Sequence, residues 1–346
     1  MIKMNKFVEL PLIEPLYSTY HFQGPGTATI VENPSIRNWY LNQVMNLKCN
    51  RKFLKGFITP EISILDSSWS QNPYFDRKWF STEFLKGCSN KLIRNLLDAG
   101  YYVCFGGIDD YYVKGKSWYK ERHFNHDGCI CGYNQNDKTF CIYAYDSNWI
   151  YHKFWTSQSD FDAARKAMRK KGVISSLCAI KPKSDAVAIN PEVAIQKMRE
   201  YLDSNMKKYP KSKEGDVHGI AVHDYIAMYV DKLYDGSIPY ERMDRRVFRL
   251  IWEHKKAMLE RLEKIESILG TDNKISNAYK PIVEEANKIR MLYASYHMRK
   301  RDSVLPIIHN KLIGIKNDER KLLKRFIKIA EKKLDDTKEG EKNEEN

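Results

Sequence analysis

The feature that most constrains the fold is a pair of alternating apolar runs, Gly128 to Tyr133 and Thr139 to Tyr145, joined by a short polar connector. Alternation with a period of two on both sides of such a connector predicts a β-hairpin. His126 enters the first strand and Asp146 leaves the second. Because the open ends of an antiparallel pair lie side by side, the sequence predicts that this imidazole and this carboxylate come within hydrogen-bonding reach.

An imidazole held by a carboxylate is the arrangement that a general base and its orienting acid require. The sequence therefore predicts His126 as a catalytic base and Asp146 as its orienting group. Asn148 is an alternative to Asp146, since an amide also holds an imidazole in orientation. Asp127 is the weaker candidate, because neighbouring residues of a strand point to opposite faces of the sheet.

With 346 residues, the chain is long enough for two domains. Residues 1–185 mix strand-like and helical patterns, including a predicted helix over 81–97 and a predicted buried strand over 101–108, and form the first domain. Residues 186–334 carry apolar side chains at three- and four-residue steps, which predicts a helical bundle. Residues 335–346 are charged and almost without apolar side chains, which predicts a disordered tail. The predicted class is α+β, followed by an all-α second domain.

The net charge of +14 favours an acidic partner, such as an acidic carrier protein, a nucleic acid or an anionic membrane. No zinc-finger or helix-turn-helix pattern accompanies the charge, so nucleic acid is the less favoured of these partners. The N-terminus lacks the apolar stretch of a secretion signal, and no run of about eighteen apolar residues is present. We therefore expect a cytoplasmic protein that does not act at a membrane.

Seven cysteines are an odd number scattered over a long chain, which predicts reduced thiols and not a disulfide framework. Five potential zinc ligands lie close together in the sequence: His123, His126, Cys129, Cys131 and Cys141. Along a strand, Cys129 and Cys131 share one face and His126 points to the other, which prevents the ligands from converging. No metal and no cofactor is predicted.

The hairpin also resembles a known family. His126, the run Gly132-Tyr133-Asn134 and Asp146 resemble the second half of a papain-like cysteine-protease fold, and within it the butirosin-biosynthesis acyltransferase N-terminal family. The likeness spans residues 120–165 in motif and roughly 10–180 in layout. It implies an enzyme that takes an acyl group from a carrier-protein thioester onto a catalytic cysteine and then passes the acyl group to an amine.

The family places that cysteine at the start of its first helix, where this sequence reads H-F-Q-G-P-G-T-A-T-I. Three explanations stay open: an inactive relative, a hydroxyl such as that of Thr27 in place of the thiol, or a cysteine from elsewhere in the chain. Cys49, Cys88 and Cys104 precede the histidine and are the candidates for the last. Each falls in an apolar pattern that predicts burial.

The predicted function is therefore acyl transfer from an acidic acyl or peptidyl carrier protein to a small-molecule amine in peptide or natural-product biosynthesis. His126 and Asp146 are the predicted catalytic residues. A non-catalytic protein that binds a carrier protein, a peptide or a nucleic acid is the alternative. A cysteine peptidase comes third.

Overall fold

Residues 5–56, 59–81, 89–173, 176–204 and 214–344 are described by the structure, a computed structural model. The strands are β1 (Phe7–Glu9), β2 (Leu47–Asn50), β3 (Ser63–Ile64), β4 (Phe75–Ser81), β5 (Tyr102–Asp109), β6 (Asn125–Asn134), β7 (Thr139–Tyr145), β8 (Tyr151–Ser157), β9 (Ser176–Pro182) and β10 (Asp216–His218). The α-helices are α1 (Gly24–Ala28), α2 (Arg37–Gln43), α3 (Ser89–Asp98), α4 (Gln158–Lys170), α5 (Pro191–Asp203), α6 (Val222–Tyr234), α7 (Val247–Ile268), α8 (Lys274–Arg299) and α9 (Leu305–Glu344).

The chain folds as two compact units. The sheet unit contains residues 1–37 and 68–186, and the helical unit contains residues 38–67 and 187–346. The α+β class, with an N-terminal antiparallel sheet and C-terminal helices, is confirmed. The sequence had assigned residues 38–67 to the first domain, which differs from the packing observed.

The sheet unit is built on a seven-stranded antiparallel sheet in the order β4-β9-β5-β6-β7-β8, with β1 paired to the far end of β6. The predicted hairpin is confirmed as β6 and β7, and the predicted buried strand is confirmed as β5. One face of the sheet packs apolar side chains against α3 and α4. Five cysteines alternate with these core residues along the strands and are also buried: Cys104, Cys129, Cys131, Cys141 and Cys178.

The helical unit contains α5 to α9 and a small antiparallel sheet in the order β10-β2-β3. The second domain was predicted to be all-α, and this sheet shows that it is not. Segment 38–67 belongs here because its backbone is bound by the long helix α7. Arg261 donates hydrogen bonds to the carbonyl oxygens of Leu41 and Val44 at the end of α2, and His254 donates to that of Met45. A guanidinium at a helix C-terminus satisfies carbonyls that have no partner within the helix.

The last helix also differs from the sequence prediction. Residues 335–344, expected to be disordered, continue α9, whereas residues 345–346 lie outside the described part of the chain. Lys and Glu are good helix formers, and extending an existing helix is less costly than starting one. Lys338 also forms an ion pair with Glu192 of α5, at 2.5 Å between Nζ and Oε1. In the described residues, no helix is both long and apolar enough to cross a membrane.

Two buried histidines make the helical unit sensitive to acid. Burial, reinforced by the Lys255 charge, lowers the pKa of both His223 and His254 well below the usual value. Both rings are therefore neutral in the folded protein but take up protons on unfolding below a pH of about 6.5. We expect the free energy of unfolding to fall by about 1.4 kcal/mol per histidine and pH unit as the pH drops below that value toward the folded-state pKa.

Urea unfolding at several values between pH 7.5 and 5.5 measures this dependence. A His223→Gln variant supplies the comparison, because glutamine retains an amide that can donate to the Ile220 carbonyl but does not titrate. Its unfolding free energy should depend less steeply on pH than that of the natural chain. Equal slopes for the two proteins would contradict the assignment to His223.

Candidate active site

His126 is the second residue of β6 and lies opposite Ile108 of β5. Its Nδ1 is hydrogen bonded to Oδ2 of Asp110, whose side chain is buried. Its Nε2 forms no hydrogen bond with any residue that the structure describes, and 23% of the side chain is exposed. An imidazole held through Nδ1 with Nε2 unbound is the arrangement that lets a histidine accept a proton from a substrate.

A β-bulge at the end of β5 places Asp110 beside the imidazole. The register between β5 and β6 shifts between Phe105 and Ile108, and Gly107 within this bulge has a φ of +71°, which glycine adopts without strain. Asp109 then begins a short 3₁₀ helix by accepting the backbone N–H of Tyr111 on its side chain. The stretch Gly106 to Asp110 is thus a bulged strand end that aims Asp110 at β6.

Asp146, the predicted partner of His126, has a different environment. Its Oδ1 accepts the backbone N–H groups of Asn148 and Ile150, at 2.8 and 2.9 Å. Its Oδ2 lies 3.0 Å from Nε2 of His152 on β8. These hydrogen bonds lower the pKa of Asp146 despite the opposing effect of burial. The predicted pairing is therefore corrected: His126 is paired with Asp110, while Asp146 and the alternative Asn148 belong to the turn between β7 and β8.

The hairpin pattern does not identify Asp110, because β6 has two neighbouring strands and the hairpin connects it to only one of them, β7. β5 is also antiparallel to β6, and its last residues lie level with His126. The signal was present in the sequence, since Asp109 and Asp110 directly follow the predicted buried strand. An acid at the end of either neighbouring strand is a candidate partner.

A second histidine, His21, lies next to the first and was not predicted. Its ring contacts the ring of His126 edge-on, with 5.0 Å between centroids. Nδ1 of His21 lies 3.0 Å from Oδ1 of Asp127, and its Nε2 accepts the backbone N–H of Tyr145 at 3.3 Å. Burial lowers the pKa of His21 although Asp127 opposes it. Both nitrogens of His21 are thus engaged, whereas His126 uses only Nδ1 in its hydrogen bond with Asp110.

The hydroxyl alternative for the nucleophile is not supported. Thr27 is buried in α1, and its Oγ1 lies within 3.3 to 3.4 Å of the carbonyl oxygens of Tyr17, Gln23 and Gly24. A hydroxyl directed at backbone carbonyls in a buried helix has no base to activate it. Gly24, the first residue of α1, also has no room for a side chain unless Tyr151 shifts, because a Cβ there would lie 2.2 Å from the hydroxyl oxygen of Tyr151.

The described cysteines do not replace the thiol expected by the resemblance. Burial raises the pKa of Cys49, in the helical unit, and of Cys178, on β9, to about 12. Cys104 is buried within β5, and Cys88 lies outside the described residues. The thiolate is the reactive form of cysteine, so buried thiols with raised pKa values are poor nucleophiles.

The possible zinc ligands are dispersed in the fold. Nδ1 of His123 lies 2.8 Å from Oδ2 of Asp109, and His126 is paired with Asp110. Inside the sheet, Sγ of Cys131 lies 3.6 Å from Sγ of Cys141. Within the described ranges, no three His, Cys, Asp or Glu side chains are arranged to hold a metal ion.

Comparisons with known proteins add no assignment to this geometry. Neither the search against protein-family models nor the search against curated proteins returns a match for this sequence.

Proposed function

We propose that this protein is an acyltransferase with a papain-like layout in which His126, oriented by Asp110, acts as a general base without a covalent acyl-cysteine intermediate. The observation that carries the proposal is the His126–Asp110 pair, with a buried carboxylate on Nδ1 and an unbound, partly exposed Nε2. The antiparallel sheet that bears the histidine, preceded by the short buried helix α1, is compatible with the layout implied by the resemblance.

A single displacement accounts for the residues present. Nε2 of His126 removes a proton from the attacking amine as the new C–N bond forms at the thioester carbonyl. The C–S bond then breaks, and the imidazolium returns the proton to the departing thiolate. Asp110 stabilises the imidazolium during these steps. This route needs no protein thiol, in accord with the lack of space for a side chain at Gly24 and with the burial of the described cysteines.

The donor in this proposal is an acyl thioester carried by an acidic carrier protein. The thioester follows from the family resemblance, and the acidic carrier follows from the net charge of +14. Attraction between opposite charges raises the rate of association and weakens as salt is added. The acceptor is a small-molecule amine, because an amide is the product that the resemblance implies.

The test compares the natural chain with a His126→Gln variant in amide formation from an acyl-carrier thioester and an amine. We expect the variant to lose about 10²- to 10⁴-fold in turnover, the range that general bases contribute. Prior alkylation of accessible thiols with iodoacetamide should leave the natural chain active. Undiminished turnover by the variant would remove His126 from the mechanism, and inactivation by alkylation would restore a cysteine nucleophile.

A non-catalytic carrier-binding protein is the second candidate, favoured by one observation. The Tyr151 hydroxyl occupies the space that a side chain at Gly24, the first residue of α1, would need. This candidate predicts that an acidic carrier protein binds the natural chain and the His126→Gln variant with equal affinity in calorimetry, and that neither forms amide. Stronger, salt-dependent binding of a single-stranded oligonucleotide would point to nucleic acid instead.

A further inference from the structure

Lys116 is a buried cation close to the His126–Asp110 pair. Only 1% of its side chain is exposed, and its Nζ has no hydrogen-bond partner among the described residues. The nearest carboxylate oxygen, Oδ1 of Asp110, lies 3.9 Å away and also lacks a hydrogen bond with described residues. An isolated buried charge is very costly, so a lysine held in this place depends on surrounding carboxylates.

The charges of three carboxylates act on this ammonium group. Burial lowers the pKa of Lys116, and the charges of Asp110, Asp127 and Asp146 oppose that effect. The segment bearing Lys116 is fixed to the Asp146 turn by two hydrogen bonds, from Ser117 Oγ to the Asp146 carbonyl at 3.2 Å and from the Ser147 N–H to the Gly115 carbonyl at 2.8 Å.

Each of these carboxylates also binds a histidine. The three pairs are Asp110 with His126, Asp127 with His21, and Asp146 with His152. They come from separate elements: the segment before α1, the 3₁₀ helix that follows β5, the start of β6, the turn after β7, and β8. With neutral imidazoles, the cluster of three carboxylates and one ammonium has a net charge of about −2, and without Lys116 it would have about −3.

We infer that Lys116 is a positioning residue. Its buried charge, 3.9 Å from Asp110, balances the carboxylate that orients His126 and is shared with the two neighbouring histidine–carboxylate pairs, so that it opposes protonation of the His126 ring. This inference rests on the proposed function only where it assigns the role of a base to His126. A carboxylate on an imidazole favours the imidazolium, and a cation on the other side of the same carboxylate opposes it. The charge of Lys116 already acts on a neighbouring ring, since after burial it helps to lower the pKa of His21.

The test is a Lys116→Met variant whose histidine rings are titrated by NMR. Methionine retains most of the side-chain length but removes the charge. We expect the midpoint for protonation of the His126 ring to rise by about one pH unit. A Lys116→Arg variant should keep the midpoint of the natural chain, because the positive charge remains. An unchanged midpoint in folded Lys116→Met protein would overturn the inference.

Lys171 offers a matched control. Its Nζ lies 3.6 Å from Asp109, which binds His123, so Lys171 neutralises the neighbouring histidine–carboxylate pair. A Lys171→Met variant should have the same midpoint for protonation of the His126 ring as the natural chain. A rise of the His126 midpoint equal to that in Lys116→Met protein would show a general charge effect and would overturn the special role of Lys116.

A second variant decides the matter if Lys116→Met does not fold. Asp146→Asn removes one negative charge from the cluster and retains an oxygen for the N–H groups of Asn148 and Ile150. The His126 midpoint should then fall, opposite to the change in Lys116→Met, and a midpoint that does not fall would count against the inference. These titrations need no substrate, so their failure is distinct from failure of the acyl-transfer assay.

Discussion

Replacing Glu319 with alanine will lower the free energy of unfolding by about 3 to 5 kcal/mol, because it leaves a buried ammonium without its counter-ion. Lys255 Nζ lies 2.6 Å from Oε2 of Glu319, and neither side chain is exposed to solvent. Tyr201 donates to the same oxygen at 2.8 Å, and Tyr279 donates to Oε1. The substitution therefore removes the acceptor for three donors in the core of the helical unit.

Urea unfolding followed by circular dichroism measures this loss. A Lys255→Met, Glu319→Leu double variant should recover the part of the loss that comes from the unpaired ammonium, since apolar residues of similar volume can replace a buried ion pair, but not the part that comes from the hydroxyls of Tyr201 and Tyr279. Glu331 on the same helix gives the control: the side chains of its ion pair with Arg199 are 38% and 48% exposed, so Glu331→Ala should change stability by less than about 1 kcal/mol. A decrease of less than about 1 kcal/mol in the free energy of unfolding of the Glu319→Ala variant would contradict the predicted role of the buried pair.

Replacing Asp110 with asparagine will lower amide-forming turnover by up to about 10⁴-fold, if the protein acts as proposed. The neutral amide retains the shape of the side chain but neither stabilises the imidazolium nor fixes the tautomer with a free Nε2. Binding of the acyl donor should change little, because Asp110 is buried behind the imidazole. The rate constant kcat is thus expected to fall far more than KM rises.

Asp146→Asn separates the pairing predicted from sequence from the pairing observed. We expect this variant to lose less than about tenfold in turnover, because its carboxylate binds His152 and the β7–β8 turn. Steady-state kinetics of the two asparagine variants, each checked for folding, make the comparison. A larger loss for Asp146→Asn than for Asp110→Asn would favour the sequence-based assignment.

Local pattern in the sequence was sufficient for several elements of the sheet unit. The hairpin of β6 and β7, the buried strand β5 and the position of His126 at the start of β6 all follow from two-residue alternation over a few neighbouring residues. The helical character of the second half follows in the same way from three- and four-residue spacing.

Contacts between residues far apart in the sequence decided which segments belong to which unit, and local sequence pattern does not contain this information. The segment 38–67 looks like a continuation of the N-terminal domain but belongs to the helical unit, because Arg261 and His254, more than two hundred residues later, bind its carbonyl oxygens. The small sheet in that unit likewise joins β2 to β10 across the chain. No short window of sequence includes both partners of such a contact.

The same distinction between local sequence pattern and long-range packing applies to the candidate site. The sequence by itself determined that His126 stands at a strand end with acids nearby, because residue type and alternation are local properties. Only the tertiary structure decided that Asp110 is its partner, that His21 lies against its ring and that Lys116 is buried 3.9 Å from Asp110. The physical reason is that a strand inside a sheet has two neighbours, and the choice between them depends on the bulge, the turn and the packing of the whole unit.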